Sequence, residues 1–314
     1  MQDKKPLIIL TGPTAVGKTE LSLKLAKAVN GEMISADSMQ VYRFMDIGTA
    51  KIMPEEMQGI PHHLIDVLEP TEDFNVVIFQ QMAKQAMEQI YAKGKIPIVV
   101  GGTGFYIQAL LYDTEFEETE ESVYRKELTK YYEQHGAHML HERLKEIDSV
   151  SYETIHENNV KRVIRALEFY HDTGYPISVH NTEQRQKESP YNFEYFVLND
   201  KRELLYDRIE KRIDIMIDDG LVEEVRKLLS MGCTKDMVSM QGLGYKEIIP
   251  YLQGECSLEE AIYILKRDTR HFAKRQLTWF RREKEVTWVD KSTFSASEDM
   301  LEFMLQHLRD KRII

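Results

Sequence analysis

The apolar positions of the chain fall into short runs and helical stripes that alternate along its length. Residues 7–10 form a continuous apolar run, as a strand buried on both faces does. A helical pattern with Leu21, Leu23 and Leu25 follows, and residues 33–36 form a second buried run. From residue 75 to 93, Val76, Phe79, Met82, Ala83, Ala86, Met87 and Ile90 recur at helical spacing. Residues 96–100 are a third run, and a further helix follows. The intervening stretch, 40–75, is rich in loop residues (Gly48, Pro54, Gly59, Pro61, Pro70), with a short strand expected at 64–67.

Beyond residue 121 the pattern changes. Residues 122–171 keep helical intervals throughout, through Leu128, Tyr131, Leu140, Leu144, Ile147, Val160, Val163, Ile164 and Leu167. The polar stretch 181–190 closes this segment, and residues 193–200 restore a strand. A long helix, or a pair interrupted near Gly220, is expected next, then a last strand near 286–289 and an end helix at 298–308. With strands at 7–11, 33–36, 96–100, 193–198 and 286–289, the expected fold is α/β. It is a doubly wound, mostly parallel sheet with a helical domain inserted after the third or fourth strand. The composition shift sets the boundaries. DTEFEETEE, residues 113–121, holds six carboxylates and no base, which reads as a solvated linker. The core is therefore expected over 1–112 and 188–314, and the insertion over 113–187.

Chemistry enters where the first apolar run breaks. Residues 12–19 read GPTAVGKT: Gly12, Pro13, Thr14, Ala15, Val16, Gly17, Lys18 and Thr19. This satisfies G-x-x-x-x-G-K-[ST] between a strand and a helix, and makes the fold P-loop NTPase-like. The two outer glycines allow a tight turn that points successive N–H groups at an anion. The helix start adds the favourable end of its dipole. Lys18 supplies charge for a terminal phosphate, and Thr19 offers a hydroxyl to magnesium. The site grips a polyphosphate without saying which. Asp37 and Ser38 end the second strand, the edge where open parallel sheets bind ligands; a turn cap is the structural alternative for Asp37. Gly101-Gly102-Thr103-Gly104 ends the third strand at the same edge.

Histidine spacing argues against a metal site, with a site at His135, His138 and His141 as the alternative to surface histidines. His62 and His63 are adjacent, so they point to opposite faces of a strand. His135, His138 and His141 fall three apart on a helix, where surface positions are expected. Cys233 and Cys256 form no C-x-x-C pair, which leaves neither a disulfide framework nor a zinc ribbon and fits a reducing cytoplasm. The 314 residues suffice for one large domain or two ordinary ones, and no apolar run reaches transmembrane length.

Charge changes the picture once. The net charge of −11 argues mildly against nucleic acid, yet residues 266–284, KRDTRHFAKRQLTWFRREK, hold eight bases against two acids. Phe272, Leu277, Trp279 and Phe280 interleave with them. A basic, aromatic-studded helix is a footprint for a polyanion, with Lys274, Arg275 and Arg281 as its candidate contacts. A basic face bridged to acids of the same protein is the alternative. A smaller basic face lies at Lys161, Arg162 and Arg165 in the insertion.

Together, GPTAVGKT, ISADSMQVYR, GGTGFYIQALL, KRVIRALE, MIDDGLVEEV, MQGLGYKE and AKRQLTWFRR resemble the bacterial tRNA isopentenyltransferases (dimethylallyltransferases) over nearly the whole chain and in the family's order. The resemblance implies transfer of a dimethylallyl group from dimethylallyl diphosphate to the exocyclic amine of the adenosine 3′-adjacent to the tRNA anticodon, with Mg2+. It implies that the P-loop holds the donor diphosphate, with Lys18 on the leaving pyrophosphate, Thr19 on the metal, Asp37 as general base and Arg208 near the diphosphate. It implies tRNA contacts at Asp37, Ser38, Met39 and Gln40, at Thr103 and Arg125, at Lys161, Arg162, Val163, Ile164 and Arg165, and at Gln241, Gly242, Leu243, Gly244, Tyr245 and Lys246. The helical insertion and the basic helix would grip the anticodon stem-loop. The zinc finger of the eukaryotic branch cannot be built from two isolated cysteines, so the likeness is to the bacterial type. The expected partners are tRNA and the prenyl diphosphate, with no membrane, in a cytoplasmic monomer. A P-loop small-molecule kinase using ATP is the alternative; it has no need of the basic stretch. An ATP-driven RNA-binding module without catalysis is a further rival, which would need no pocket beside Asp37.

Overall fold

A computed structural model describes residues 4–116 and 123–314. Strands β1 (Lys5–Thr11), β2 (Gly31–Ser35), β3 (His62–His63), β4 (Ile96–Gly101), β5 (Tyr191–Asn199) and β6 (Val286–Asp290) form one sheet in the order β3-β2-β4-β1-β5-β6. Every pairing is parallel. All the carboxyl ends therefore lie along one edge, where ligands of such sheets bind. β1 is central because its apolar run is buried on both faces: Leu7, Ile8 and Leu10 are fully buried. It pairs with β5 over its whole length and with β4 over its second half. At the ligand edge the Thr11 hydroxyl donates to Gly101 O at 2.7 Å.

The helices are α1 (Lys18–Val29), α2 (Val76–Ala92), α3 (Gly104–Leu111), α4 (Val123–Glu142), α5 (Leu144–Ile147), α6 (Ser149–Thr154), α7 (Val160–Thr173), α8 (Ile177–Gln186), α9 (Arg202–Asp218), α10 (Leu221–Ser230), α11 (Tyr245–Leu252), α12 (Leu258–Phe280) and α13 (Ser297–Asp310). Local chemistry sets several starts. The Asn75 side chain accepts from Val77 N and Ile78 N at the head of α2, and Ser257 accepts from Glu260 N at the head of α12. Gly220 separates α9 from α10 at φ 101°, a conformation that favours glycine.

The chain divides into two compact units, one of Met1–Leu111 with Pro190–Ile314, the other of Tyr112–Ser189. The second is all-helical among its described residues. Its core is Leu128, Leu140, Leu144, Val163, Ile164, Ala166 and Leu167. A buried carboxylate, Asp148, ties α6 to α8 by accepting from the N–H and hydroxyl of both Ser151 and Ser178. In the first unit, Glu32 does comparable work at the other end of the sheet. Its side chain is 1% exposed and meets Lys93, Lys95 and His63 at 2.9–3.0 Å. Burial pushes this carboxyl up, but hydrogen bonds from His63, Lys93 and Lys95 outweigh it and bring it down to about 2.

Three details differ from the sequence expectations. The short strand falls at His62–His63 rather than 64–67, because Leu64 (φ 65°) and Asp66 (φ 53°) are left-handed and turn the chain out of the sheet. The stretch 122–171 is four helices, with Gly136 (φ 82°, ψ 174°) breaking the first. The polar segment from residue 181 continues α8 as far as Gln186 instead of forming a loop. Of the two positions expected for the insertion, the one after the fourth strand is found. Residues 117–121 of the expected acidic linker, and Ser122, lie outside the described residues.

Candidate active site

Parallel topology brings four chain segments to one edge: the loop after β1, residues 36–40 after β2, residues 101–104 after β4, and residues 199–200 leading into α9. The loop after β1 is shaped by its glycines. Gly12 (φ 148°) and Gly17 (φ 94°) adopt backbone that other residues rarely take, and a Cβ on Gly12 would sit 2.6 Å from Leu198 O. Gly17 caps α1, so the free N–H groups of its first turn point into the loop. Lys18 curls over the loop, donating to Gly12 O and Pro13 O at 2.9 Å each. From behind, Lys291 donates to Val16 O at 3.1 Å.

Asp37 stands on the neighbouring loop. Its Oδ1 accepts from Met39 N at 2.8 Å and Gln40 N at 3.3 Å, which fixes the carboxylate and leaves Oδ2 without a partner among the described residues. Asp37 and Lys18 act on each other electrostatically. Burial lowers the Lys18 ammonium to about 8, Asp37 pulls it back up, and Arg212 pushes it down again. Arg212, on α9, makes no hydrogen bond or ion pair among the described residues. Its side chain is exposed, and desolvation by the surrounding protein lowers its pKa. Beside Asp37 lies an aromatic wall. Tyr106 stacks on Phe79 at 4.8 Å and meets Phe74 edge-on at 5.7 Å, and Tyr42 meets Phe74 at 6.4 Å. Burial raises the Tyr106 hydroxyl, with Tyr42 and Asp37 adding to it.

The third loop is held from the far end of the chain. Gln276 on α12 accepts from Thr14 N at 2.9 Å and donates to Gly102 O at 3.0 Å, joining the first loop to the third. The glycines make room for this. A Cβ on Gly102 would sit 2.2 Å from Gln276 Nε2, and one on Gly104 would sit 2.2 Å from the Trp279 ring. Thr103 N donates to Ala36 O at 3.2 Å, tying the third loop to the second.

The arrangement is an anion cradle with two cations, a free carboxylate oxygen facing it, and an aromatic wall alongside. Sequence relatives say what such a constellation belongs to. A family model described as IPP transferase matches residues 40–283. The chain belongs to that family. A tRNA dimethylallyltransferase of Lachnoclostridium phytofermentans is 60% identical over 311 residues, covering 99% of both chains. Another, from Acetivibrio thermocellus, is 51% identical over 303 residues, covering 96% of this chain and 97% of the relative. Among solved structures, the full-length tRNA isopentenylpyrophosphate transferase of Bacillus halodurans is similar at TM-score 0.74 and 44% identity, with 99% of this chain and 98% of that one covered. A eukaryotic dimethylallyltransferase acting on tRNA gives TM-score 0.82 at 29% identity, covering 98% of this chain and 80% of that one. The core is thus P-loop NTPase-like, as the GKT loop implied, and this IPP transferase is an enzyme.

Within that family frame the expected site residues separate. Lys18, Thr19, Asp37 and Thr103 come to the ligand edge together. Arg208 binds Asp200 through Nη2, at 2.5 Å from Oδ2, while its buried Nη1 has no hydrogen-bond partner among the described residues. Arg212, one turn further along α9, is a second cation whose charge acts on Lys18. Arg212 and Gln276 are the two site residues that sequence reasoning missed; the Arg208/Arg212 spacing was visible, the choice between them was not. Gln40 spends its amide on Thr49 O and Ala50 O, at 3.2 and 3.4 Å. In the 241–246 segment, Tyr245 is fully buried and Gly242 and Gly244 are buried, which leaves Gln241 and Lys246 exposed.

The insertion shows the same division. Val163 and Ile164, expected among the RNA contacts, are core side chains, 0% and 8% exposed, because the basic face of α7 is the opposite one. Lys161 and Arg162 are exposed. Arg125 pairs with the buried Glu168 at 2.6 Å, and Arg165 reaches the same carboxylate at 3.4 Å. Of the three expected surface histidines, His141 is buried, bonded to Ile155 O at 2.7 Å and stacked on Tyr152. Among the described residues no group of three or more His, Cys, Asp or Glu could hold a metal.

The basic stretch also divides. Lys266 pairs with Asp214, Arg270 with Glu210 and Arg267 with Asp268, so its first half is bridged within the protein. Lys274, Arg275 and Arg281 are exposed and make no ion pair among the described residues. No helix among the described residues is long and apolar enough to cross a membrane.

Proposed function

We propose that this chain transfers a dimethylallyl group from dimethylallyl diphosphate to the exocyclic amine of the adenosine 3′-adjacent to the anticodon of tRNA, releasing pyrophosphate. The carrying observation is that Gln276 ties the phosphate loop to the loop after β4, and Thr103 N ties that loop to Ala36 O beside Asp37, so the Lys18 cation and the Asp37 carboxylate stand on loops of one sheet edge. In the reaction the allylic carbon–oxygen bond breaks and a carbon–nitrogen bond forms. The leaving oxygens take up negative charge, and the amine gives up a proton. Loop N–H groups, Lys18 and Arg212 act where that charge develops. Asp37 Oδ2 accepts the proton, an assistance typically worth about 10²–10⁴-fold. Tyr106, half-buried and backed by the buried rings of Phe74 and Phe79, offers an apolar face to the five-carbon chain or to the base, which leaves its stack to enter.

Magnesium fits this donor set. The Thr19 hydroxyl has no partner among the described residues and stands at the head of α1, and it would hold the ion with the phosphate oxygens of the donor. When bound, the ion spreads the charge of the departing diphosphate. Lys274, Arg275 and Arg281 on the first unit, and Lys161 and Arg162 on the second, each offer free charge to RNA phosphates. Every group comes from one chain, so a monomer suffices. The free thiols of Cys233 and Cys256 and an RNA substrate favour the cytoplasm.

One assay tests the reading against a kinase. The protein is mixed with tRNA, magnesium and either dimethylallyl diphosphate labelled in its prenyl chain or ATP labelled in its γ-phosphate. Prenyl label should enter the tRNA, with no ATP hydrolysed. Transfer of phosphate label with no prenyl transfer would overturn the assignment in favour of the kinase.

A further inference from the structure

Glu224 lies in the first turn of α10, a helix with no part in the chemistry so far. Its carboxylate nevertheless carries four hydrogen bonds from the functional half of the molecule. Oε2 accepts from Asp46 N at 2.9 Å and Ile47 N at 2.8 Å. Oε1 accepts from Gly48 N at 3.0 Å and from the Tyr245 hydroxyl at 2.7 Å. Three successive backbone N–H groups converging on one anion form a nest, a geometry that neutral side chains fill poorly.

The two segments so joined are interlocked elsewhere. A Cβ on Gly48 would sit 2.6 Å from the Tyr245 ring, and one on Gly242 would sit 2.8 Å from the Met39 sulfur. The connection runs on to Asp37. Gln40 Nε2 donates to Thr49 O and Ala50 O, and Ser35 Oγ donates to Gln40 Oε1 at 3.3 Å. Gln40 N and Met39 N are the groups that fix Asp37 Oδ1. Hydrogen bonds therefore run almost without interruption from Glu224 through residues 46–50 and Gln40 to the free carboxylate of the site.

We propose that Glu224 is a positioning residue: through the N–H groups of residues 46–48 and the Tyr245 hydroxyl it locks the loop that carries Asp37 against the 242–245 segment, and so sets the Asp37 carboxylate for proton transfer. This rests on the assignment of Asp37 as general base. A side chain that acts this way affects turnover more than donor affinity, because the phosphate loop is held separately by Gln276 and Lys291.

Glu224→Gln tests it. The amide keeps the size but presents NH2 where one oxygen accepted, so it opposes at least one of the nest N–H groups. The expected result is a loss in kcat approaching 10²-fold, as misplacement by about 1 Å gives. KM for dimethylallyl diphosphate should stay within about twofold of wild type, and amide exchange at residues 46–48 should quicken. Tyr245→Phe removes one donor and leaves the nest intact, so it should lose less turnover in the same direction; it carries the test if the Gln variant does not fold. Faster exchange at 46–48 with unchanged kcat would overturn the proposal, leaving Glu224 a purely structural tie. Equal losses in turnover and donor affinity would overturn it as well. Wild-type protein in the same assay separates this failure from failure of the functional assignment, since without prenyl transfer by wild type the assignment itself falls.

Discussion

The side chain of Gln276 accepts a 2.9 Å hydrogen bond from the backbone N–H of Thr14, a residue 262 positions earlier in the chain. The same amide reaches Gly102 O, so one side chain sets the spacing between the phosphate loop and the loop after β4. Gln276→Ala leaves Thr14 N and Gly102 O unpaired in a part-buried site, at a cost of about 1–3 kcal/mol in folding stability. KM for dimethylallyl diphosphate should rise about tenfold, equivalent to about 1.4 kcal/mol. Denaturant melts and steady-state kinetics read both. A KM that does not move would mean that the phosphate loop keeps its shape without Gln276.

Lys18 gives the reaction an alkaline limit. Burial lowers its pKa to about 8, so in the free enzyme the cation that meets the donor is lost as pH rises through that value. The kcat/KM for dimethylallyl diphosphate, which reports the free enzyme, should fall over that range. Lys18→Arg keeps its charge there and should abolish this limb whatever its effect on rate. Persistence of the limb in the arginine variant would assign it to another group. Lys18→Ala should weaken the donor and slow transfer while leaving tRNA affinity nearly intact.

Arg212 and Arg208 should part company on substitution. Arg212→Ala removes a cation that has no protein partner, so turnover should drop by about 10²-fold, in line with the loss of a preorganised charge, while melting barely changes. Arg208→Ala instead strands the buried carboxylate of Asp200 and should destabilise the fold by about 1–3 kcal/mol. Paired activity and melting measurements decide it. The opposite assignment would show as a melting loss in the Arg212 variant and a purely kinetic loss in the Arg208 variant.

The two halves of the basic stretch predict different salt dependences of tRNA binding. Neutralising Lys274, Arg275 or Arg281 should weaken binding and lower the slope of log K against log salt by about 0.7–0.9 each. Neutralising Lys266 or Arg270, already bridged to Asp214 and Glu210, should leave that slope alone. Filter binding across a salt series measures both sets. Identical slopes throughout would remove this helix from the RNA interface.

Glu32 should make the fold sensitive to acid. Its native pKa lies below the unfolded value of 4.5, so the stability it contributes is fully present above that value and lost as pH falls from there towards about 2. Glu32→Gln leaves Lys93, Lys95 and His63 without their carboxylate, and because these partners reach solvent it should cost about 1–3 kcal/mol at neutral pH. Urea midpoints followed against pH should fall less steeply through this window in the variant. Parallel curves for the two proteins would show that the acid sensitivity arises elsewhere.

Fixed spacing explains what was legible in the sequence. GPTAVGKT needs its glycines, Lys18 and Thr19 at set intervals, so the motif declares the loop, and the apolar runs declare the strands beside it. Arg208 and Arg212 share one helix face, and what separates them is the position of Asp200, a tertiary fact. The role of Gln276 depends on a residue from the other end of the chain, so no local pattern carries it. Val163 and Ile164 look like part of a basic motif in sequence, but helical geometry turns them inward while their neighbours face out. The 64–67 segment has strand composition, yet its left-handed residues end any pairing. The helix through residues 181–186 has no apolar stripe to announce it; it is anchored instead by Ser178 on Asp148.

The pairing of β1 with β5 has a consequence for biosynthesis. β1 leaves the ribosome before both of its neighbours, and β4 can cover one of its edges early, but the other edge is matched by Tyr191–Asn199. At about 5–20 residues per second, the most apolar strand of the protein waits roughly ten to forty seconds with an open flank. During that time the helices of the insertion are made and can pack by themselves. The nascent chain is thus most prone to aggregation while its first hundred residues are already outside, and chaperones that shield exposed strand edges would act in that interval. A message truncated before codon 191 would yield a phosphate-loop motif with no closed sheet to support it.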